Sequence, residues 1–407
     1  LVLIILFCIT GLVHAGDNLS FHGYFKHFSI VFDQSITPRG MPVSEPLAGV
    51  ASNRLRLTLE ATPVSWFAAK LAYDLAPRIT DPAFTDELFL FSPAEAGRFR
   101  LVDFDDRLYP RDTDEVGSFV VLHNIDRAYA QFRPAFGDIT LGRQAIAWGS
   151  SRVVSPTDVL VPFGVTDLDR EERFGIDALR MRIPLGALSE LDVGYVAGEE
   201  MRWERSAAYV RGRWWLWSTD IAPLVAAVRG QLLLGLDLTR SIGGFGTWLE
   251  AAYVFNNVVS DEDRLPDDDY VRGTVGADYS ITAKLYGFAE YHFSSAGTAT
   301  PRDFFSVLRS PAFTDGGVFL VGRHYIIPGA TYQFTALLSG ALQLLYNVSD
   351  TSVLLSPSIE YNIRTDVYLS LGAFVGFGEE ADRREGLGSE FGGVYPDQYY
   401  GSFGFYF

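Results

Sequence analysis

The chain has 407 residues, 48% hydrophobic and 14% aromatic, which excludes a disordered protein and suits one large domain or two small ones. Its formal net charge of −17 argues against general nucleic-acid affinity, so no nucleic-acid partner is expected.

The first residues read "LVLIILFCITGLVHA", an apolar run followed by Val13-His14-Ala15, the small-residue cleavage pattern of a secretory signal peptide. No Met and no basic segment precede it. The expectation is therefore an N-terminally incomplete signal peptide over 1–15 and one exported domain over 16–407. About 13 apolar residues are too few to span a bilayer comfortably as a helix. Cys8 lies in this run, and Phe7 before it does not fit a lipoprotein signal. The expected mature chain then has no cysteine, which excludes disulfides, zinc–thiolate sites, a cysteine nucleophile and c-type haem attachment.

Beyond residue 15 no apolar run reaches the ~18 residues of a transmembrane helix. Instead, segments of about ten residues alternate apolar and polar, the pattern of a membrane-spanning β-barrel. In "RLRLTLEA", Leu55, Leu57, Leu59 and Ala61 oppose Arg54, Arg56, Thr58 and Glu60. In "VRGTVGADYS", Val271, Val275, Ala277 and Tyr279 oppose Arg272, Thr274, Asp278 and Ser280. Strands are predicted near 20–32, 50–62, 65–74, 123–133, 136–147, 175–184, 189–197, 205–214, 217–227, 231–240, 245–257, 270–280, 283–293, 319–333, 337–348, 352–362, 366–377 and 398–407.

The connections alternate in length. Tight turns fall at one end, such as "TPVS" (62–65), "RPAFGD" (133–138), "SIGGFG" (241–246) and "NIRTD" (362–366). Long loops fall at the other, roughly 33–49, 75–122, 148–174, 258–269, 294–318 and 378–397. The predicted fold is all-β: a transmembrane antiparallel up-and-down barrel of about 18 strands, with short periplasmic turns and long external loops. Dropping one hairpin within 198–240 would leave 16. A soluble β-sandwich competes, but it does not explain one apolar face on every strand or the alternation of short and long connections. "QYYGSFGFYF" at 398–407 is expected to turn Tyr399, Phe403, Phe405 and Phe407 to lipid and to close the barrel against "LSFHGYFKHFSIVF".

The stretch 141–196 carries a denser pattern. Gly142-Arg143-Gln144 leads to Trp148-Gly149, then Pro156-Thr157-Asp158, and returns through Gly175, Asp177, Ala178, Leu179 and Arg180. These residues resemble a group of porin-like outer-membrane proteins of Gram-negative bacteria. The resemblance implies a barrel in the cell outer membrane, in contact with lipid and lipopolysaccharide and inserted by barrel-assembly machinery. The aromatic strand ending in Phe407 likewise resembles the signal that such machinery recognises. Some barrels of this kind are associated with multihaem cytochromes in metal-reducing bacteria, which implies a multihaem cytochrome as one conceivable partner. The resemblance carries no catalytic residue.

A barrel of about 18 strands encloses water, so its polar face is a lumen. Early strands contribute Arg54, Arg56, Arg127, Arg133, Arg180, Arg182, Arg211 and Arg213 to it. Later strands contribute Asp237, Glu250, Asp278, Glu290 and Glu360. Glu60, Asp192, Arg272 and Lys284 are exceptions to this division. The expectation is a basic wall facing an acidic one. Loop 148–174 has a middle, "VVSPTDVLVPF", too apolar for a solvated loop. Its acidic members Asp158, Asp167, Asp169, Glu171 and Glu172 are the candidate constriction residues, set against the arginines if the loop folds inward. Loop 75–122 is a candidate lid or plug.

Enzyme readings are poor. The histidines His22, His27, His123, His292 and His324 fall on distant strands, and no HExxH, GxSxG or P-loop pattern occurs. "SDEDRLPDDD" (260–269) lacks EF-hand spacing, so no metal site and no cofactor is expected. The expected function is a porin-type channel for passive diffusion of small hydrophilic solutes or ions. A sheath around a cytochrome is the alternative, and a surface-binding or assembly barrel without an open pore the second.

Overall fold

A computed structural model describes residues 18–33, 47–81, 99–101, 107–111, 117–256, 269–314, 316–317, 319–380 and 388–407. The expected signal peptide at 1–15, the acidic run 260–268 and parts of the loops read at 33–49, 75–122 and 378–397 lie outside the described residues.

Among the described residues nineteen strands follow one another: β1 (Leu19–Asp33), β2 (Leu47–Val64), β3 (Phe67–Thr80), β4 (Arg107–Tyr109), β5 (Phe119–Phe132), β6 (Asp138–Gln144) and β7 (Ile176–Pro184). They continue as β8 (Glu190–Val196), β9 (Ala207–Leu216), β10 (Thr219–Val228), β11 (Gln231–Ile242), β12 (Phe245–Phe255) and β13 (Tyr270–Ser280). The last six are β14 (Leu285–Ser294), β15 (His324–Gln333), β16 (Leu338–Asn347), β17 (Val353–Arg364), β18 (Val367–Phe377) and β19 (Asp397–Tyr406). Each barrel strand pairs antiparallel with its neighbours, and β1 pairs with β19 as well as β2, so the sheet closes. Among the described residues three-residue β4 pairs only with β5, which leaves eighteen strands in the wall. Closure removes the unpaired edges that an open sheet would present, a requirement for backbone placed in lipid.

Side-chain alternation sorts every strand into two faces. Leu71, Leu141, Leu179, Val225, Val275, Ile326, Leu342 and Leu371 are exposed on the outside. An apolar band of this extent is stable only against lipid. Aromatic clusters flank it. Trp66 stacks on Phe132 and Phe245 on Tyr279 at the short-turn end, while Tyr109 meets Phe119 at the other. The inner face carries the charges, as the alternation predicts.

Three local features depart from the predicted strands. β3 runs on to Thr80, past the predicted end at 74 and through Pro77. β5 is bulged where Ala72 pairs with Arg127 but Tyr73 with Ile125, so Asp126 is the extra residue and both Asp126 and Arg127 are buried. β6 stops at Gln144, short of the predicted 147, and the chain turns into the barrel. Above that point the gap in the wall between β5 and β7 is filled by pieces of the 81–118 connection. Asp177 donates its N–H to the Phe99 carbonyl, Arg100 donates to the Gly175 carbonyl, and β4 lies along β5. These described pieces of the predicted lid or plug mend the wall.

Closure is tight at Gly23. Its backbone exchanges hydrogen bonds with Phe407, and a β-carbon there would stand 2.2 Å from the Arg56 carbonyl oxygen and 2.9 Å from the Phe407 ring. Gly23→Val is therefore expected to slow closure of β1 on β19 and β2. Loss of the compact, heat-modifiable band on unboiled gels is the readout, and a wild-type fraction of folded barrel would refute it.

Candidate functional site

The site is built by the connection from β6 to β7, residues 145–175, which crosses the lumen instead of covering the mouth. Its first part is moored on the wall formed by β11–β14. The Glu250 carboxylate is fully buried and accepts six bonds: from the backbone N–H groups of Ser150, Ser151 and Thr157 and the hydroxyls of Ser151, Ser155 and Thr157. A carboxylate in such a nest of donors loses little by leaving water. Gly149 makes the approach possible. Its φ of +94° is left-handed, and a β-carbon there would lie 2.2 Å from Ser155 Oγ and 2.7 Å from Glu250 Oε1. Glu290 accepts from the N–H groups of Arg152 and Val153 and from Trp248 Nε1. Ser150 Oγ donates to Asp237, and Arg152 pairs with Asp278 at 2.7 Å.

The last part of the loop is moored on the opposite wall by charge. Asp169 pairs with Lys26 at 2.7 Å and Arg54 at 3.3 Å, and Glu171 with Lys26 at 2.5 Å. Glu172 lies 3.1 Å from Arg56 and 3.3 Å from Arg127. Behind them Asp74 meets Arg54 and Arg56, and Asp126 meets Arg56 and Arg127. Arg56 is 1% exposed, so the cation at the centre of this wall touches no open water.

Between the moorings the apolar middle of the loop makes a core within the barrel. Val159, Leu160 and Val161 pack with Ile146, Trp148 and inward residues of β7–β13, among them Tyr209, Leu224 and Leu233. Val165 packs on the other side with Tyr325, Leu345, Leu354 and Phe374. The segment that precedes β19 adds Phe391 to that side. Its Glu390 is fully buried and accepts from Val321 N–H, Tyr325 Oη and Asn347 Nδ2, and burial pushes its carboxyl up to about 8. A cavity of about 650 Å³ lies between residues 168–171 and the wall of β17, β18, β19 and β1. Lys26, Asp169, Arg170, Glu171, Glu360 and Asp366 bring charge to it, and Tyr368, Tyr400 and Tyr406 bring rings and hydroxyls.

The predicted residues divide accordingly. Arg54, Arg56 and Arg127 face inward and meet Asp169 or Glu172 of the loop. Arg180 and Arg182 also face inward, but their partners are Asp192 and Asp138 on adjacent strands. Arg211 approaches Asp237 at 4.0 Å. Arg133 and Arg213 are exposed at the short-turn end, below the loop, so neither lies at its level. Asp237, Glu250, Asp278 and Glu290 were expected to line open water; they hold the loop instead. Asp158 does not face the arginines of the wall. It is 1% exposed and pairs with Arg173 of its own loop at 2.6 Å, and burial pushes its carboxyl up to about 6. Asp167 also turns inward on the loop, accepting from Gly164 N–H at 2.7 Å. Glu360 alone of the acidic strand residues opens on the cavity.

Several participants escaped the sequence reading. Lys26 shares the phase of Tyr24 and Phe28 in β1, and that phase was the available signal. Asp74 was placed at a predicted strand end, and Asp126 was hidden by the bulge. The serines of the Glu250 nest carry no sequence signal, since uncharged donors are common in any loop. The 141–196 pattern resolves into a joint: Arg143 pairs with Asp177 across β6 and β7 at 2.9 Å, and Gln144 donates to the Ala178 carbonyl. Among the described residues no group of three His, Cys, Asp or Glu is placed to hold a metal ion.

No protein-family model and no curated protein matches the sequence. Solved structures of similar shape do. OccAB4 of Acinetobacter baumannii is 10% identical with a TM-score of 0.58, over 96% of this chain and 98% of that one. OccD3 (OpdP) of Pseudomonas aeruginosa is 8% identical with a TM-score of 0.55, over 95% and 91%. OpdK of the same organism, solved with vanillate, is 8% identical with a TM-score of 0.56, over 95% and 98%. At this identity the likeness shows the fold: a complete barrel of the same architecture.

Proposed function

We propose that the chain is an outer-membrane channel for passive diffusion of small hydrophilic solutes or ions, narrowed by residues 145–175. The observation that carries this reading is the loop moored on both walls, which narrows the lumen and leaves a cavity of about 650 Å³ beside β17–β19. A passage of that size, lined by charged groups and hydroxyls beside a few apolar side chains, suits molecules of a few to a dozen heavy atoms. The fold of OpdK, solved with vanillate, supports solutes of this class. The outer-membrane setting rests on the closed barrel and its apolar outer band. A sheath around a cytochrome is disfavoured, because the protein's own loop fills the space such a partner would need. Lipid, lipopolysaccharide and the assembly machinery remain its proposed contacts.

Purified protein added to a planar bilayer in KCl is expected to give discrete conductance steps, smaller than those of an 18-stranded barrel without an inward loop. A folded, heat-modifiable barrel that gives no steps and no solute flux into liposomes would refute the channel.

A further inference from the structure

We propose that the passage favours small solutes bearing a positive charge, with Glu360 as the residue that sets the preference; this rests on the channel reading above. The arginine-rich wall invites the opposite expectation, that carboxylates are drawn in. The ion pairs remove it. Lys26, Arg54, Arg56 and Arg127 are four cations facing five carboxylates, Asp74, Asp126, Asp169, Glu171 and Glu172, each within 3.1 Å of at least one of them. A cation already matched in this way presents little field to a passing anion, and the field falls off further within a Debye length of about 8 Å.

The charge left unmatched at the cavity is negative. Arg170 turns its guanidinium onto the carbonyl oxygens of Gly164, Val165 and Asp167. Glu360 projects from β17 between Ser339 of β16 and Ser370 of β18, is exposed, and meets no cation within 4.0 Å among the described residues. Asp366 adds a second carboxylate at the lower rim. The lining itself holds two cations, Lys26 and Arg170, and four carboxylates, Asp169, Glu171, Glu360 and Asp366. Beside the apolar Phe28, Leu168, Ile359 and Phe403, its lining carries serine and threonine hydroxyls and tyrosine rings, and these receive an ammonium or guanidinium group well.

The test is the reversal potential in a planar bilayer under a KCl gradient, with the folded state of each variant checked by heat-modifiable mobility. Wild type should pass K⁺ more readily than Cl⁻. Glu360→Gln should reduce that permeability ratio by about twofold, and Glu360→Lys should invert it, since each unit of charge weighs heavily in a low-dielectric pore. Arginine should then enter proteoliposomes faster than glutamate. A wild-type preference for Cl⁻, or a ratio that ignores both substitutions, overturns the inference and leaves the channel standing. A folded protein that conducts nothing overturns the channel reading and this inference with it.

Discussion

Glu250→Ala is expected to raise single-channel conductance by about two- to fivefold, because it releases the first half of the lumenal loop from its wall. Six donors converge on this carboxylate, three from the backbone and three from hydroxyls. Each buried donor left without a partner costs about 1–3 kcal/mol, so the loop segment 148–157 gains by leaving the wall for water. Glu250→Gln should be intermediate. Its amide offers one oxygen where the carboxylate offers two, and its NH2 group points donors at donors. The double variant Ser155→Ala, Thr157→Ala removes two hydroxyls while keeping Glu250, and should increase conductance less than Glu250→Ala. Trypsin or another protease should cut 148–157 faster in the alanine variant. Wild-type conductance in a folded Glu250→Ala barrel would show that the apolar middle alone holds the loop.

The legibility of these parts follows the physics that produced them. Strand phase was readable because lipid outside and polar lumen inside act on every residue of a strand. Predicted and observed bounds accordingly coincide at Tyr270–Ser280 and differ by one residue at Val367–Phe377. Strand ends were less readable where one residue overrides the period. β3 continues through Pro77 past the predicted end at 74, and Asp126 falls out of phase because the bulge adds a residue. The inward course of the loop was foreshadowed by its apolar middle, which only a buried position can satisfy. Which charges would meet was not foreshadowed. Asp167 and Asp169 are two residues apart, yet one closes a turn on Gly164 and the other crosses to Lys26 and Arg54. That choice depends on the path of the backbone in three dimensions, to which local composition is blind. The acidic wall misled for a related reason. A carboxylate facing inward is as able to anchor a loop as to face water, and the donors that decide between them are ordinary serines, threonines and peptide N–H groups.

Paired reversal of Arg54 and Arg56 to Glu is expected to open the other half of the loop, and to do so far more than the same reversal of Arg180 and Arg182. All four are inward arginines of the early strands, so a simple lining role would make the two pairs equivalent. Their partners separate them. Arg54 and Arg56 hold Asp169 and Glu172 of the loop, whereas Arg180 and Arg182 hold Asp192 and Asp138 on neighbouring strands. After Arg54→Glu, Arg56→Glu, two cations, Lys26 and Arg127, would face seven carboxylates. Like charges about 4 Å apart repel by about 4 kcal/mol at an effective dielectric of 20, which exceeds what one retained pair with Lys26 returns. The segment 169–172 should swing off the wall, increasing conductance about twofold or more, with a marked shift towards cations. The neutral pair Arg54→Gln, Arg56→Gln should show a smaller increase in conductance, since attraction is lost without repulsion being added. Arg180→Glu, Arg182→Glu should leave conductance near wild type and alter selectivity only slightly, because the loop keeps both moorings. Single-channel recording of the three double variants in one lipid and one salt decides the matter. Equal effects of the Arg54/Arg56 and Arg180/Arg182 reversals would mean that the arginines act as a diffuse positive wall, and that the loop does not depend on its ion pairs.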